Sequence, residues 1–261
     1  MKAKRNGCCE RSSLLPIPPP GPNQNQILRF LTPEVRGRLF SRLERVPLEM
    51  GQVLYEPNCR IQNVYFPTTS IVALVYGMAN GSMSELAVVG RDGLVGVSLV
   101  TGARSALSRA VVISSGWAYK LSSDLLITEL RFHGEMMYVA LRYTQDLITQ
   151  IAQTAVCNLH HTVDQRLCRW LLLSLDRLDH SQLSQTQELM SHMLGVRREG
   201  VTEAALKLKN LKAITYSRGK MTVLNREILE GLSCECYSVV KRETDHLHMR
   251  AQLDTSQAAK N

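Results

Sequence analysis

TQELMSHMLGVRREGVTEAALKL, residues 186–208, decides how the rest of the chain is read. Leu189, Met190, Met193 and Leu194 recur at helical spacing, and the hydroxyl of Thr186 stands where it can satisfy an orphan backbone N–H at the start of that helix. Gly195 follows, free to take the positive φ of a sharp turn because it carries no Cβ. A second segment then opens on Arg197, Arg198 and Glu199 and sets Val201, Ala205 and Leu208 on one apolar face. Two short amphipathic helices hinged at a glycine form a helix-turn-helix. Polar and basic groups at the start of its second helix lie where such a helix meets base edges in a major groove. The expected partner is double-stranded DNA.

Working outward, AITY (213–216) and MTVL (221–224) are two short strand patterns joined by Ser217-Arg218-Gly219-Lys220, a hairpin turn. They add a two-stranded wing whose tip carries Arg218 and Lys220, where a phosphate backbone would lie. Residues 184–224 hold seven basic side chains (Arg197, Arg198, Lys207, Lys209, Lys212, Arg218, Lys220) against Glu188, Glu199 and Glu203. That excess is about half of the net +8 of the whole chain, so positive charge is concentrated where a polyanion would bind. In this reading Arg198 donates a forked pair of hydrogen bonds to a guanine edge. Glu199 accepts from a cytosine amino group, and Thr202 reaches a base edge or a thymine methyl. Thr186, Arg197, Arg218 and Lys220 hold phosphates.

The 261 residues suggest two modest domains, and 44% apolar content is enough to build their cores. Seven cysteines, at 8, 9, 59, 157, 168, 234 and 236, have no framework spacing and fit reduced thiols in a cytoplasmic protein. No stretch resembles a signal peptide or a membrane span, so no membrane partner is expected. Nucleophile elbow, phosphate loop and paired-carboxylate motifs are all missing, which argues against an enzyme and leaves no catalytic residue to name. Cys8-Cys9 lack ligand spacing. His160 and Asp164 stand four apart on a helix but have no second ligand pair. Cys234-x-Cys236 needs two more donors, for which only His246-x-His248 offers itself, and that stretch also reads as a plain final helix. No metal and no cofactor is expected.

Upstream, NVYFP (63–67), SIVALVY (70–76), ELAVVG (85–90), RAVVISS (109–115) and WAYKL (117–121) are strand-like and separated by turn residues, the pattern of an antiparallel barrel or roll. Thr32-Pro33-Glu34 reads as a capped helix start before them, with Val35, Leu39 and Leu43 on its apolar face. Met136 to Leu175 contains neither Gly nor Pro and carries many good helix formers. Leu141, Ile148 and Ala155 are seven apart, with Thr144, Ile151 and Asn158 interleaved, so a coiled-coil seam and a homodimer are expected. Leu141, Ile148, Ile151 and Ala155 are its candidate contacts. The fold class is therefore α+β: an N-terminal antiparallel β-roll, a long dimerisation helix and a C-terminal winged helix-turn-helix. The expected divisions are a Pro-rich arm (1–26), the roll (27–133), the long helix (134–162), the winged domain (163–250) and a tail (251–261).

That order of parts resembles the Crp/Fnr superfamily of bacterial transcription regulators. The residues that carry the likeness are LEMGQVLYEPN (48–58), VVGRDGLVGVSL (88–99) and LGVRREGVTEAALKL (194–208), and it extends over roughly residues 27–245. It implies a cyclic-nucleotide-binding-like sensor domain, a two-fold symmetric operator and RNA polymerase as a protein partner. The likeness breaks at the nucleotide pocket. Cyclic-nucleotide-binding members carry Gly-Glu-Leu followed later by Arg-Ser; here the turn is Gly96-Val97-Ser98 and the later stretch Ser108-Arg109-Ala110. Valine accepts no ribose hydrogen bond, and a one-residue shift in a strand turns Arg109 to the opposite face. Gly96, Val97, Ser98 and Arg109 mark the place of an effector pocket, with cAMP a poor candidate. Those members also place a second arginine where this chain has Glu203, so Glu203 is expected to alter site preference. The alternative reading is a ligand-sensing protein-interaction module with a vestigial DNA-binding domain.

Overall fold

The computed structural model describes residues 20–78, 83–132, 134–178, 181–217 and 220–245. Residues 1–19, with Cys8 and Cys9, those from 246, with His246 and His248, and Arg218, expected at a wing tip, lie outside the described residues.

Two short helices, α1 (Gln26–Arg29) and α2 (Pro33–Phe40), lead in. Asn25 caps α1 by accepting from the Leu28 N–H, and its buried amide donates to Pro67 O and Gly93 O, tying the entry to the roll. The Thr32 cap expected for α2 is not made within that helix. The Thr32 hydroxyl instead donates to the Glu135 carboxylate at 2.8 Å, because a charged acceptor from another helix outcompetes the local bond.

Seven strands follow: β1 (Glu44–Leu48), β2 (Val53–Tyr55), β3 (Asn63–Pro67), β4 (Ile71–Gly77), β5 (Met83–Val89), β6 (Arg109–Ser114) and β7 (Gly116–Ser122). They form two antiparallel sheets in the orders β1-β7-β3 and β2-β6-β4-β5. Val64, Phe66, Val72, Ala110, Val112, Ala118 and Leu121 fill the space between them, with Leu28 of α1, Leu31 of the link and Val35 of α2 packed into the same core. β4 is a nearly continuous apolar run because both of its faces are buried. Val72 faces the roll interior, while Ile71, Ala73 and Val75 join a second core.

α3 (Ser123–Phe132) and α4 (Gly134–His160) close the roll. Along α4, Met136, Val139, Ala140, Tyr143, Leu147, Gln150, Thr154 and Cys157 are buried at helical spacing. The glycines of the Gly90–Gly93 turn are needed for contact: a Cβ on Gly93 would fall 2.3 Å from the Tyr143 ring, and one on Gly90 2.6 Å from Arg177 Cβ.

The stretch 136–175 holds parts of two helices. α4 ends at His160, and α5 (Val163–Leu175) restarts behind a capping box in which Thr162 and Gln165 each accept the other's backbone N–H. The C-terminal part continues with β8 (Gln182–Ser184), α6 (Gln187–Leu194), α7 (Arg198–Asn210), β9 (Ile214–Ser217), β10 (Lys220–Val223), α8 (Arg226–Leu232) and a final helix over 235–245. The wing has three strands, in the order β8-β10-β9. Its second core runs from Leu167, Trp170 and Leu171 of α5 through Met190, Val201 and Leu208 to the outer face of β4, β5 and β6. The Trp170 indole donates to the buried carboxylate of Glu85 at 2.9 Å across that junction. Burial pushes the Glu85 carboxyl up to about 7, opposed by the Trp170 bond and the nearby arginines. Arg177 and Asp92 form a buried 2.7 Å ion pair at the same boundary. Among the described residues, no helix is long and apolar enough to cross a membrane.

Candidate nucleic-acid interface

Thr186 caps α6 through the Leu189 N–H at 3.1 Å. Gly195 takes φ 61° and ψ 38°, the Val196 N–H returns to Ser191 O at 3.0 Å, and the chain turns into α7. Arg166, buried on α5, donates to Leu194 O at that turn. Met190, Met193 and Leu194 pack against Val201, Ala204, Ala205 and Leu208, which fixes the angle between the two helices. The opposite face of α7 is left to solvent, and Arg197, Arg198, Glu199, Thr202 and Glu203 are all exposed along it.

These groups are not equally free. The Thr202 hydroxyl lies 2.9 Å from Arg198 O and 3.0 Å from Gln187 Oε1, so it braces α7 against the start of α6. Glu203 pairs with Lys207 at 3.2 Å, and Lys207 also bonds Asp164 of α5 at 3.1 Å. The Asp164 bond is the largest of the effects that raise the Lys207 pKa. Lys220 is exposed at the first position of β10, opposite Ser217 of β9 and Ser184 of β8. Thr186, Arg197, Arg198, Glu199, Thr202 and Glu203 thus come together around α6 and α7, and Lys220 stands on the adjoining wing. The third wing strand and the bracing role of Gln187 had no signal in the sequence pattern, since three residues carry too little alternation to be recognised.

At the expected effector pocket, Val97–Leu99 form a 3₁₀ turn entered through Gly96 at φ 114°. A Cβ on Gly96 would meet Val64 Cγ1 at 2.8 Å and the Tyr55 hydroxyl at 3.1 Å. That hydroxyl lies 2.9 Å from both Asn63 O and Val95 O, so protein side chains occupy the space behind the turn. Arg109 does not join Gly96, Val97 and Ser98. It lies on β6, its side chain out of register with the inward-facing Ala110 and Val112, and its guanidinium forks onto Glu56 at 2.7 and 3.1 Å. The Glu56 bond raises its pKa.

On α4, Leu141, Ile148 and Ala155 are exposed on the face opposite the buried stripe. Tyr138, Gln145, Ala152 and Leu159 beside them are exposed too, whereas Thr144, Ile151 and Asn158 are half-buried beside that stripe. Both rows satisfy a three-and-four spacing, and Leu147 and Thr154 are buried on the flank of the second.

Compared with known proteins, residues 165–232 match the Crp-like helix-turn-helix domain. The search among curated proteins gives no match. Among solved structures, FixK2 from Bradyrhizobium japonicum superposes with a TM-score of 0.62 at 14% identity, covering 74% of this chain and 98% of that one. A putative transcriptional regulator of the Crp/Fnr family from Eubacterium rectale gives 0.62 at 14%, covering 80% and 98%. The c-di-GMP responsive global regulator CLP from Xanthomonas campestris gives 0.57 at 12%, covering 74% and 99%. Residues 165–232 thus match a Crp-like helix-turn-helix domain, and about three quarters of the chain shares the fold of these solved structures.

Proposed function

We propose that the protein is a homodimeric, sequence-specific DNA-binding transcription regulator of Crp/Fnr type. The observation that carries this reading is α7, whose apolar face is locked into the domain core while Arg197, Arg198 and Glu199 project from its exposed N-terminal end. Arg198 reads a guanine and Glu199 a cytosine amino group; Thr202 offers its methyl, since its hydroxyl is engaged within the domain. Thr186, Arg197, Arg218 and Lys220 hold phosphates. Glu203, neutralised by Lys207, shapes site preference. Two copies pair through Tyr138, Leu141, Ile148, Ala152, Ala155 and Leu159, with Ile151 on the flank, and this places two recognition helices on one face of a duplex. The effector, if there is one, differs from cAMP, because Val97 supplies no carboxylate and Arg109 is held by Glu56. RNA polymerase is the protein partner expected of such a regulator.

Selection of bound sequences from random duplexes tests the proposal. Enriched sites should be inverted repeats with half-site centres about 10 base pairs apart. Failure to enrich any sequence would overturn it.

A further inference from the structure

The sequence offers Cys234-x-Cys236 as half of a metal site and no credible second half. The fold supplies it from 77 residues away. Cys157 and His161 are four apart, so they share one face of the final turn of α4 and its exit. Cys234 and Cys236 flank the start of the helix over 235–245. The four donor atoms, three Sγ and one imidazole nitrogen, all lie within 4.8 Å of one another. Cys157 Sγ is 3.5 Å from Cys234 Sγ, and Cys236 Sγ is 3.6 Å from His161 Nδ1. With metal–sulfur bonds of about 2.3 Å, tetrahedral ligands stand roughly 3.8 Å apart, so these separations are tetrahedron edges.

We propose that Cys157, His161, Cys234 and Cys236 bind one thiophilic divalent ion of the zinc class. The three cysteines are almost fully buried, and they form a cluster separate from both apolar cores. The second shell is also present. His161 Nε2 lies 3.4 Å from Glu235 Oε2, so its N–H faces a carboxylate and Nδ1 presents its lone pair to the sulfurs. A Cys₃His set is a common structural zinc set. An iron–sulfur cluster spreads its cysteines over several irons, wider than these atoms stand. A Cys157–Cys234 disulfide needs sulfurs about 2.0 Å apart, and the pair is held as thiols. Without metal, the sulfurs are linked by the Cys157–Cys234 and Cys236–His161 contacts. Metal binding displaces the remaining thiol protons to solvent and replaces S–H···S contacts with metal–thiolate bonds. The ion would clamp the end of α4 to the C-terminal helix, across the break at His161–Thr162 where α5 begins.

The test uses the full chain, purified with reductant, stripped by a chelator and titrated with Co²⁺. One equivalent should produce thiolate-to-cobalt charge-transfer absorption and the visible bands of tetrahedral cobalt. An equivalent of Zn²⁺ should bleach them, and the thermal midpoint should rise with either metal. H161N, at the one ligand that is not fully buried, and C236S should each lose most of the tetrahedral signal, whereas C59S, at an exposed cysteine, should keep it. The wild-type titration stands even where C236S fails to fold. No tetrahedral spectrum in the wild type, an unchanged spectrum in H161N, a Cys157–Cys234 disulfide in metal-replete protein, or iron–sulfur absorption as isolated would each overturn the proposal.

Discussion

Replacing Glu85 with glutamine should make the protein more resistant to urea, by a margin larger at pH 8 than at pH 5. Glu85 is buried on β5 under Trp170, and burial raises its carboxyl from 4.5 to about 7. The folded state therefore keeps a proton that the unfolded chain has already released. This contribution to stability is whole below about pH 4.5, declines as pH rises, and is gone once pH passes about 7. At about 1.4 kcal/mol per pH unit, that interval amounts to about 3 kcal/mol, an order-of-magnitude figure for a group with this much burial. Glutamine does not titrate, and its carbonyl oxygen still accepts from the Trp170 indole. Asp146, also pushed up to about 7, first by burial and then by Asp92, gives a slope of the same sign in both proteins and cancels in the difference. The assay is urea unfolding followed by tryptophan fluorescence from pH 5 to 8. The difference should grow from about 1 kcal/mol at pH 5 to about 3 kcal/mol at pH 8 in favour of E85Q. A difference that stays flat with pH would refute the assignment of a neutral, buried Glu85.

Other outcomes follow from the same geometry. Ile148→Glu places a charge on the exposed seam of α4 and should weaken self-association at least about tenfold, about 1.4 kcal/mol, read by sedimentation. Wild-type protein that sediments as a monomer would remove the seam altogether. Gly195→Ala should lower stability by about 1 kcal/mol through left-handed backbone strain alone, because the nearest atom to a new Cβ is Ser84 Oγ at 3.7 Å. A loss several times larger would mean that the turn is sterically filled.

Features written in local chemistry were legible. The helix–glycine–helix of 186–208 and the five clearest strands follow from periodicity and turn residues, and the structure places them within a residue or two. The helix break at His161–Thr162 has a local signal too, since Thr162-x-x-Gln165 is a capping-box pattern. Which heptad row of α4 is exposed was not legible, since two rows fit the spacing and only packing within the chain distinguishes them. The pairing of Arg109 with Glu56 and the meeting of Cys157 with Cys234 depend on residues 53 and 77 apart, which no local pattern encodes.

The central claim is that α7 reads base edges while the wing holds the backbone. Its most direct test is equilibrium binding of wild type, Arg198→Ala and Lys220→Ala to a selected site and to random duplex, over a range of salt. Arg198→Ala should lose about 1–3 kcal/mol on the selected site and little on random DNA. Lys220→Ala should weaken both alike and reduce the salt slope by about one. Equal losses on both duplexes for Arg198→Ala, or no binding by the wild type at low salt, would contradict the account.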